Sequence, residues 1–181
     1  MTTYILTKPG PPWHDYGDIL VHGMSAHLDR HDGLIQLERT GPFVPPMSFP
    51  GITEIVVTDT LKHDLERMEF TGLMFFPVIK ARIVHIDWHL WSAAADEPAE
   101  YSASGEPEDY ILERPHDPEL AAAIGDLWEV RVPVTPESST LDLFTREGQG
   151  DVYVSDAVKH WLEQRVGQWV QFKPARVDEG E

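Results

Sequence analysis

One ten-residue segment occurs twice in this chain, and this repeat is the strongest constraint on how the chain folds. Residues 57–66 (VTDTLKHDLE) return 97 positions later as residues 154–163 (VSDAVKHWLE). The same offset, without a gap, aligns an F-x-P motif that begins at Phe75 with one that begins at Phe172. The shared pattern, V-[ST]-D-x2-K-H-x-L-E-x8-F-x-P, predicts a strand, a capped helix and a second strand in each copy.

Apolar spacing supports the helix inside the repeat. In the first copy Leu61, Leu65 and Met68 recur at i, i+4 and i+7, which is one face of a helix. Thr58 or Asp59 precedes this face and is expected to cap the helix. The second copy has Val158, Leu162 and the stem of Arg165 at the corresponding positions, so both copies are expected to form the same local structure.

The remaining segments predict further strands and one more short helix. Alternating apolar residues in residues 78–91 predict a long strand, and a change of phase between Ile83 and Val84 indicates a bulge or a break. Further strands are expected at residues 18–23, 34–39 and 127–134, and a short helix at residues 118–124.

These elements indicate an α+β protein with mixed and antiparallel sheets, in which the duplicated unit packs as two related lobes. The first lobe is expected to span residues 1–91 and the second residues 119–181. Residues 92–118 are small, acidic and rich in proline, which predicts a connecting loop. A single continuous domain is the alternative, since 181 residues suit either arrangement.

The charge balance bears on the kind of partner. The chain has 31 acidic and 14 basic residues, for a formal net charge of −17. Such a chain repels phosphate backbones and anionic lipids, so neither nucleic-acid binding nor membrane binding is expected. Its field would steer a basic protein partner towards it. The alternative is that the acidity serves only solubility.

Several classes of site and location are unexpected from the sequence. There is no cysteine, which excludes disulfides, thiol nucleophiles and thiolate metal sites. The first residues lack the pattern of a secretory signal, and no apolar run approaches the ~18 residues that cross a bilayer. The expected location is therefore the cytoplasm, and no cofactor is expected.

Two groups of histidines are candidates for chemistry. His27 and His31, with Asp29 or Asp32, have a spacing that would hold a metal on a helix, although flanking glycines favour a loop. His85, Asp87 and His89 would project from one face of the strand predicted at residues 78–91, where neighbours lie ~7 Å apart. A polar surface that faces solvent or a partner is the alternative for this second group.

The repeated Lys-His pair also needs an interpretation. It occurs as Lys62-His63 and as Lys159-His160, which would fit a catalytic pair used twice. However, Lys62 lies at the edge of the apolar helix face, where a lysine stem packs along apolar side chains. The pair is therefore interpreted as part of the shared packing. No G-x-S-x-G, P-loop or G-x-G-x-x-G motif is present.

Residues 55–78 combine a V-T-D strand end, a short helix and a G-x-x-F-x-P-V strand. This combination resembles bacterial immunity proteins of polymorphic and contact-dependent toxin systems. Residues 18–23 and 37–43 are similar to parts of the group with a double Cys-x-x-Cys module, a module that this chain lacks. The resemblance implies a small cytoplasmic α+β protein that binds and neutralises one cognate toxin, and it implies no catalytic residues.

The leading hypothesis is therefore an immunity protein that occludes the active site of a basic toxin. The alternatives are a hydrolase, which would use His85, Asp87 and His89 or a metal at His27 and His31, and an accessory or chaperone-like protein of a secretion system. The residues expected to contact the partner are acidic, aromatic or imidazole side chains. They are His85, Asp87, His89, Trp91, Asp96, Glu97, Glu100, Glu106, Glu108, Asp109 and Trp161.

Overall fold

A computed structural model describes residues 2–136 and 139–175. In these residues the helices are α1 (Asp15–His22), α2 (Asp59–Arg67), α3 (Asp109–Leu112), α4 (Pro118–Ala123) and α5 (Asp156–Val166). A 3-10 turn, Gly167–Trp169, follows α5. The strands are β1 (Thr3–Thr7), β2 (Gln36–Gly41), β3 (Met47–Ser48), β4 (Ile55–Thr58), β5 (Met74–Pro77), β6 (Ile79–His85), β7 (Leu127–Arg131), β8 (Val134–Thr135), β9 (Leu143–Arg146), β10 (Val152–Ser155) and β11 (Gln171–Pro174).

The strands form three sheets, and the α+β class predicted from the sequence is confirmed. A five-stranded sheet has the order β11-β1-β10-β9-β8, and a four-stranded sheet has the order β3-β4-β7-β5. The strands β2 and β6 form a separate parallel pair. The five-stranded sheet is mixed, because β8 and β9 are parallel while its other neighbours are antiparallel. None of the helices in the described residues is long and apolar enough to cross a membrane.

The two copies of the repeat have the same strand pairing. In the first copy β7 lies between β4 and β5, and Val130 of β7 is paired with Ile55 on one side and Phe75 on the other. In the second copy β1 lies between β10 and β11 in the same way. There Leu6 of β1 is paired with Val152 and Phe172, which stand 97 positions after Ile55 and Phe75. Each copy is therefore a strand-helix-strand unit closed by one antiparallel strand from elsewhere in the chain.

The helices of both copies pack into one hydrophobic cluster. Leu61 and Leu65 of α2 and Val158 and Leu162 of α5 are all buried in it. The division into lobes at residues 1–91 and 119–181 stays a prediction, and the last residues of the second lobe, 176–181, lie outside the described residues. Met68 was expected on the apolar face of α2, but it follows the end of that helix and is exposed.

The repeated lysines have a packing role. The ammonium group of Lys62 lies 4.6 Å from the ring centre of Trp128 and 2.7 Å from the carboxylate of Glu66. Lys159 repeats both contacts, at 5.1 Å from the ring of Tyr4 and 2.8 Å from Glu163. Both lysines therefore lie between an aromatic ring of the sheet and a glutamate one helical turn away.

The capping side chains of the repeat hold the start of each helix, as the sequence predicts. Thr58 Oγ1 accepts a hydrogen bond from the Leu61 N–H, and Ser155 Oγ accepts one from the Val158 N–H. Each bond satisfies a backbone donor that has no partner within its own helix.

Removing either cap is expected to destabilise the protein. Thr58→Ala should lower the free energy of unfolding by about 1 kcal/mol, because the Leu61 N–H loses its acceptor. Ser155→Ala should lower the free energy of unfolding by more than Thr58→Ala does, because buried Ser155 also donates a hydrogen bond to Asp142 Oδ1 at 2.9 Å. Urea unfolding measures both changes, with exposed Thr60→Ala as the control. A loss at Thr60 as large as that at Thr58 would contradict the capping role.

The segment at residues 18–23 is a helix and not the predicted strand. Gly17, Leu20 and Val21 of α1 are buried, at the i, i+3 and i+4 spacing of a helix face. A Cβ at Gly17 would lie 1.7 Å from the carbonyl oxygen of Pro12, so only glycine allows this close approach. The run of six residues was too short to distinguish the apolar spacing of a helix from the alternation of a strand.

The strand predicted at residues 78–91 is shorter than expected. The strand β6 ends at His85, where its partner β2 ends at Gly41 and is followed by Pro42, which has no N–H to donate. The expected bulge between Ile83 and Val84 is also wrong. Both side chains are fully buried because both faces of β6 are covered, and the register shift lies between Leu37 and Glu38 of β2.

Candidate functional site

The greatest concentration of negative charge lies in residues 87–119, called the acidic segment below, which follow β6 and end in α4. The acidic segment holds ten carboxylates and a single basic residue, Arg114, for a formal net charge of −9. It therefore supplies more than half of the net charge of −17 in under a fifth of the 181 residues.

The acidic segment is attached to the protein by specific contacts. Tyr110 of α3 is buried. The indole Nε1 of Trp13 donates to the carbonyl oxygen of Ala95 at 3.0 Å, and the hydroxyl of Tyr16 lies 3.2 Å from Ser102 Oγ. These contacts join both halves of the segment to α1 and to the residues before it.

The one basic residue of the acidic segment is used inside it. Arg114 donates to Glu100 Oε1 at 2.7 Å and to the carbonyl oxygen of Tyr110 at 2.6 Å, and its guanidinium group lies 3.6 Å from the ring centre of Tyr110. Elsewhere in the described residues, eight further Lys and Arg side chains form ion pairs with carboxylates, among them Arg30 and Arg165. Much of the positive charge is thus neutralised within the chain.

Ten of the eleven residues predicted to contact a partner lie at the end of β6 or in the acidic segment. Eight of these are exposed, whereas Trp91 and Asp109 are half-buried. Trp161 lies apart from them, because it packs edge-to-face on Phe70 with ring centres 6.0 Å apart, against the core of the repeats. The exposed eight are His85, Asp87, His89, Asp96, Glu97, Glu100, Glu106 and Glu108.

His85, Asp87 and His89 do not share a strand face, because β6 ends at His85 and a turn follows. In that turn Asp87 Oδ1 accepts a hydrogen bond from the backbone N–H of His89 at 3.1 Å. This is a local turn contact, which leaves no strand on which the three side chains could be aligned.

The other histidine pair is also separated by its contacts. His27 Nδ1 lies 2.6 Å from Glu38 Oε2, whereas His31 faces Asp32 at 3.7 Å. Within residues 2–136 and 139–175, no three His, Asp or Glu side chains are grouped so that they could hold a metal ion.

Two buried glutamates are the centres of ion-pair clusters. Glu129 of β7 accepts two hydrogen bonds from Arg30, at 2.8 and 3.0 Å, and others from Arg131. Glu38 of β2 lies between His27 and Arg82 in the same way. Burial alone would raise the pKa of the Glu129 carboxyl, but the hydrogen bonds and charges of the two arginines outweigh burial and lower it.

The free energy of unfolding is expected to fall in acid. Burial also opposes the ionised form of Asp142, but hydrogen bonds from Thr71 and Ser155 lower its pKa, so both carboxyls hold protons less strongly in the folded state. Their stabilising contribution is present above the ordinary pKa values, 4.5 for Glu129 and 3.8 for Asp142, and is lost as the pH falls through the lowered values. Urea unfolding at pH 7, 5, 4 and 3 checks this. A free energy that stays constant down to pH 3 would contradict it.

An aromatic pocket borders the acidic segment. Its volume is about 290 Å³. Trp88 and Trp91, which line it, belong to the acidic segment, and its other aromatic walls come from distant parts of the chain. The pocket is lined by residues 9–13, Val21, His22, Phe43, Trp88, Trp91, Ala93, Gln168 and Trp169.

The aromatic rings that line the pocket contact one another. The ring centre of Phe43 lies 5.6 Å from that of Trp88 and 5.6 Å from that of Trp169, while Trp13 and Trp91 meet edge-to-face at 5.6 Å. Such tilted and edge-to-face contacts are favourable for aromatic pairs.

Two polar groups of the pocket region have unusual environments. Burial lowers the pKa of His22 to about 4, so its ring is neutral, and its Nδ1 accepts the backbone N–H of Phe49 at 3.4 Å. Arg39 is fully buried and donates to the carbonyl oxygens of Val21 and Phe43, both of which line the pocket. Burial lowers the pKa of Arg39 to about 10, which still leaves it charged at neutral pH.

Most of the pocket was not foreseen from the sequence. Trp91 was expected to contact a partner, but it was not connected with Trp13, Phe43 and Trp169. These three residues are separated by at least thirty positions in the sequence. The only local signal is that Trp13 and Phe43 each follow a proline.

Comparisons of the chain with models of protein families, with curated proteins and with solved structures gave no significant match.

Proposed function

We propose that this chain is an immunity protein, which binds one cognate cationic protein toxin and neutralises it by occluding the active site of the toxin. The observation that carries the proposal is the charge of the acidic segment, ten carboxylates against one arginine in residues 87–119. In this proposal the protein acts in the cytoplasm of the cell that it protects.

Electrostatics supports a basic partner over a neutral one. Eight of the predicted contact residues are exposed, and six of these are carboxylates. Clustered charge of one sign accelerates the encounter with a partner of the opposite sign and orients it. A toxin that acts on an anionic substrate, such as a nuclease, carries positive charge around its active site, so an acidic inhibitor would cover that region.

The attachment of the acidic segment supports binding as well. An interface made by a segment that is already ordered loses less conformational entropy than one made by a free loop. The hydrogen bonds of Trp13 and of Tyr16 to the segment provide such ordering before any partner arrives.

The test is a protection assay with any toxin-like protein whose gene lies beside the gene of this chain. Cells that express such a toxin-like protein alone should stop growing, and cells that also express the present chain should recover. The two proteins should copurify as a stoichiometric complex, and the purified toxin should lose activity when the chain is added. A complex in which the toxin keeps its full activity would favour the accessory or chaperone hypothesis. Absence of both rescue and complex would reject the immunity function.

A further inference from the structure

We propose that the aromatic pocket receives one apolar side chain of the protein partner, and that basic residues next to this side chain face the acidic segment. This inference rests on the proposed function and names the part of the partner that the site would recognise: an aromatic or branched apolar residue flanked by Lys or Arg.

The size and walls of the pocket suit a single side chain. A volume of about 290 Å³ lies at the lower limit of the ~300–1,000 Å³ of small-molecule sites. Five of the lining residues are Trp or Phe. A side chain that is enclosed by packed aromatic rings is typical of the residues that dominate protein interfaces.

The charges around the pocket favour a position outside the pocket for the basic residues of the partner. The guanidinium group of Arg39 lies directly behind the wall, bound to the carbonyl oxygens of Val21 and Phe43, and the part of the chain that the structure describes offers it no carboxylate. A cation inside the aromatic walls would meet this positive charge. The acidic segment, in contrast, begins at the pocket itself, because Trp88, Trp91 and Ala93 belong to both.

The first measurement uses capped tripeptides as probes. Acetylated and amidated Lys-Trp-Lys is added to the full chain with ¹⁵N-labelled tryptophan, and the indole N–H signals are followed by NMR. The signals of Trp88 and Trp91, identified with Trp88→Phe and Trp91→Phe, should shift because both rings line the pocket. Lys-Ala-Lys and Glu-Trp-Glu peptides should bind at least tenfold more weakly.

Two variants test whether the peptide binds in the aromatic pocket. Exposed Ala93 lines the pocket, so Ala93→Trp should fill the pocket and weaken binding of the Lys-Trp-Lys peptide at least tenfold. Ala99, also exposed and in the same segment but outside the pocket, gives the control Ala99→Trp, which should bind as the natural sequence does. Thermal unfolding verifies that both variants are folded.

Three results would overturn the proposal. They are unshifted Trp88 and Trp91 signals at millimolar peptide, equal binding of the three peptides, and unchanged binding by Ala93→Trp. Free indole that binds as tightly as the Lys-Trp-Lys peptide would also reject it, because the pocket would then be a small-molecule site. The two proposals can be rejected independently. If the Ala93→Trp variant still protects cells, the role of the pocket is rejected and the immunity function is not. If the Lys-Trp-Lys peptide binds specifically but the chain does not protect cells, the immunity function is rejected and the role of the pocket is not.

Discussion

Replacing Glu129 by Gln is expected to lower the free energy of unfolding by about 3 kcal/mol. The Glu129 carboxylate is only 4% exposed, and it accepts hydrogen bonds from both Arg30 and Arg131. Removing one partner of a buried ion pair typically costs about 3–5 kcal/mol. The lower value applies here, because the two arginine side chains are 41% and 31% exposed and would be partly hydrated.

Urea unfolding measures this loss, with Glu147→Gln as the control because Glu147 is exposed. The control should change the free energy of unfolding by less than about 0.5 kcal/mol. Arg30 and Arg131 both also donate to the carbonyl oxygen of Gly33, so amide exchange near Gly33 should accelerate in Glu129→Gln. A loss below about 1 kcal/mol would show that the cluster does not hold the loop before β2 to β7.

If the proposed immunity function is right, neutralising four carboxylates of the acidic segment is expected to slow association with the cationic toxin at least tenfold at low ionic strength. The attraction that steers a basic partner depends on where the negative charge lies as well as on its total. The four positions are exposed, so their amides should leave the fold unchanged. They are Asp96→Asn, Glu97→Gln, Glu106→Gln and Glu108→Gln.

A matched variant separates local charge from net charge. It removes four exposed carboxylates outside the acidic segment, and so changes the net charge by the same amount. Stopped-flow association rates with the toxin, measured across a range of salt concentrations, should fall only about twofold for this variant, since distant charges are screened. Equal effects of the two variants would indicate that the acidity serves solubility alone. The matched changes are Glu69→Gln, Asp126→Asn, Glu147→Gln and Asp151→Asn.

The local structure of the repeat was predictable because its causes lie within a few residues of one another. A hydroxyl three residues before a helical N–H predicts the caps at Thr58 and Ser155, and the apolar spacing predicts the buried face of Leu61 and Leu65. The position of Lys62 at the edge of this face predicted its packing role as well. The sequence did not indicate the ring of Trp128 on which this lysine lies.

Features that depend on distant residues were not predictable. The segment of α1 was expected to be a strand, since its buried Leu20 packs with Val84 and Ile86, which are distant in the sequence. The length of β6 depends on where β2 ends, at Gly41. Of the candidate site, the acidic segment could be predicted, because its residues are contiguous in the sequence. The aromatic pocket could not be predicted, because only the fold brings Trp13, Phe43 and Trp169 next to the acidic segment.

The position of β1 between β10 and β11 has a consequence for biosynthesis. The strand Thr3–Thr7 is translated long before its pairing partners, Val152–Ser155 and Gln171–Pro174. At roughly 5–20 residues per second, about eight to thirty seconds pass between them. During this time the strand remains unpaired in the nascent chain, and a ribosome that stops before β10 releases a product that cannot complete this sheet. In the proposed immunity function, protection would therefore begin only after β11 has been translated.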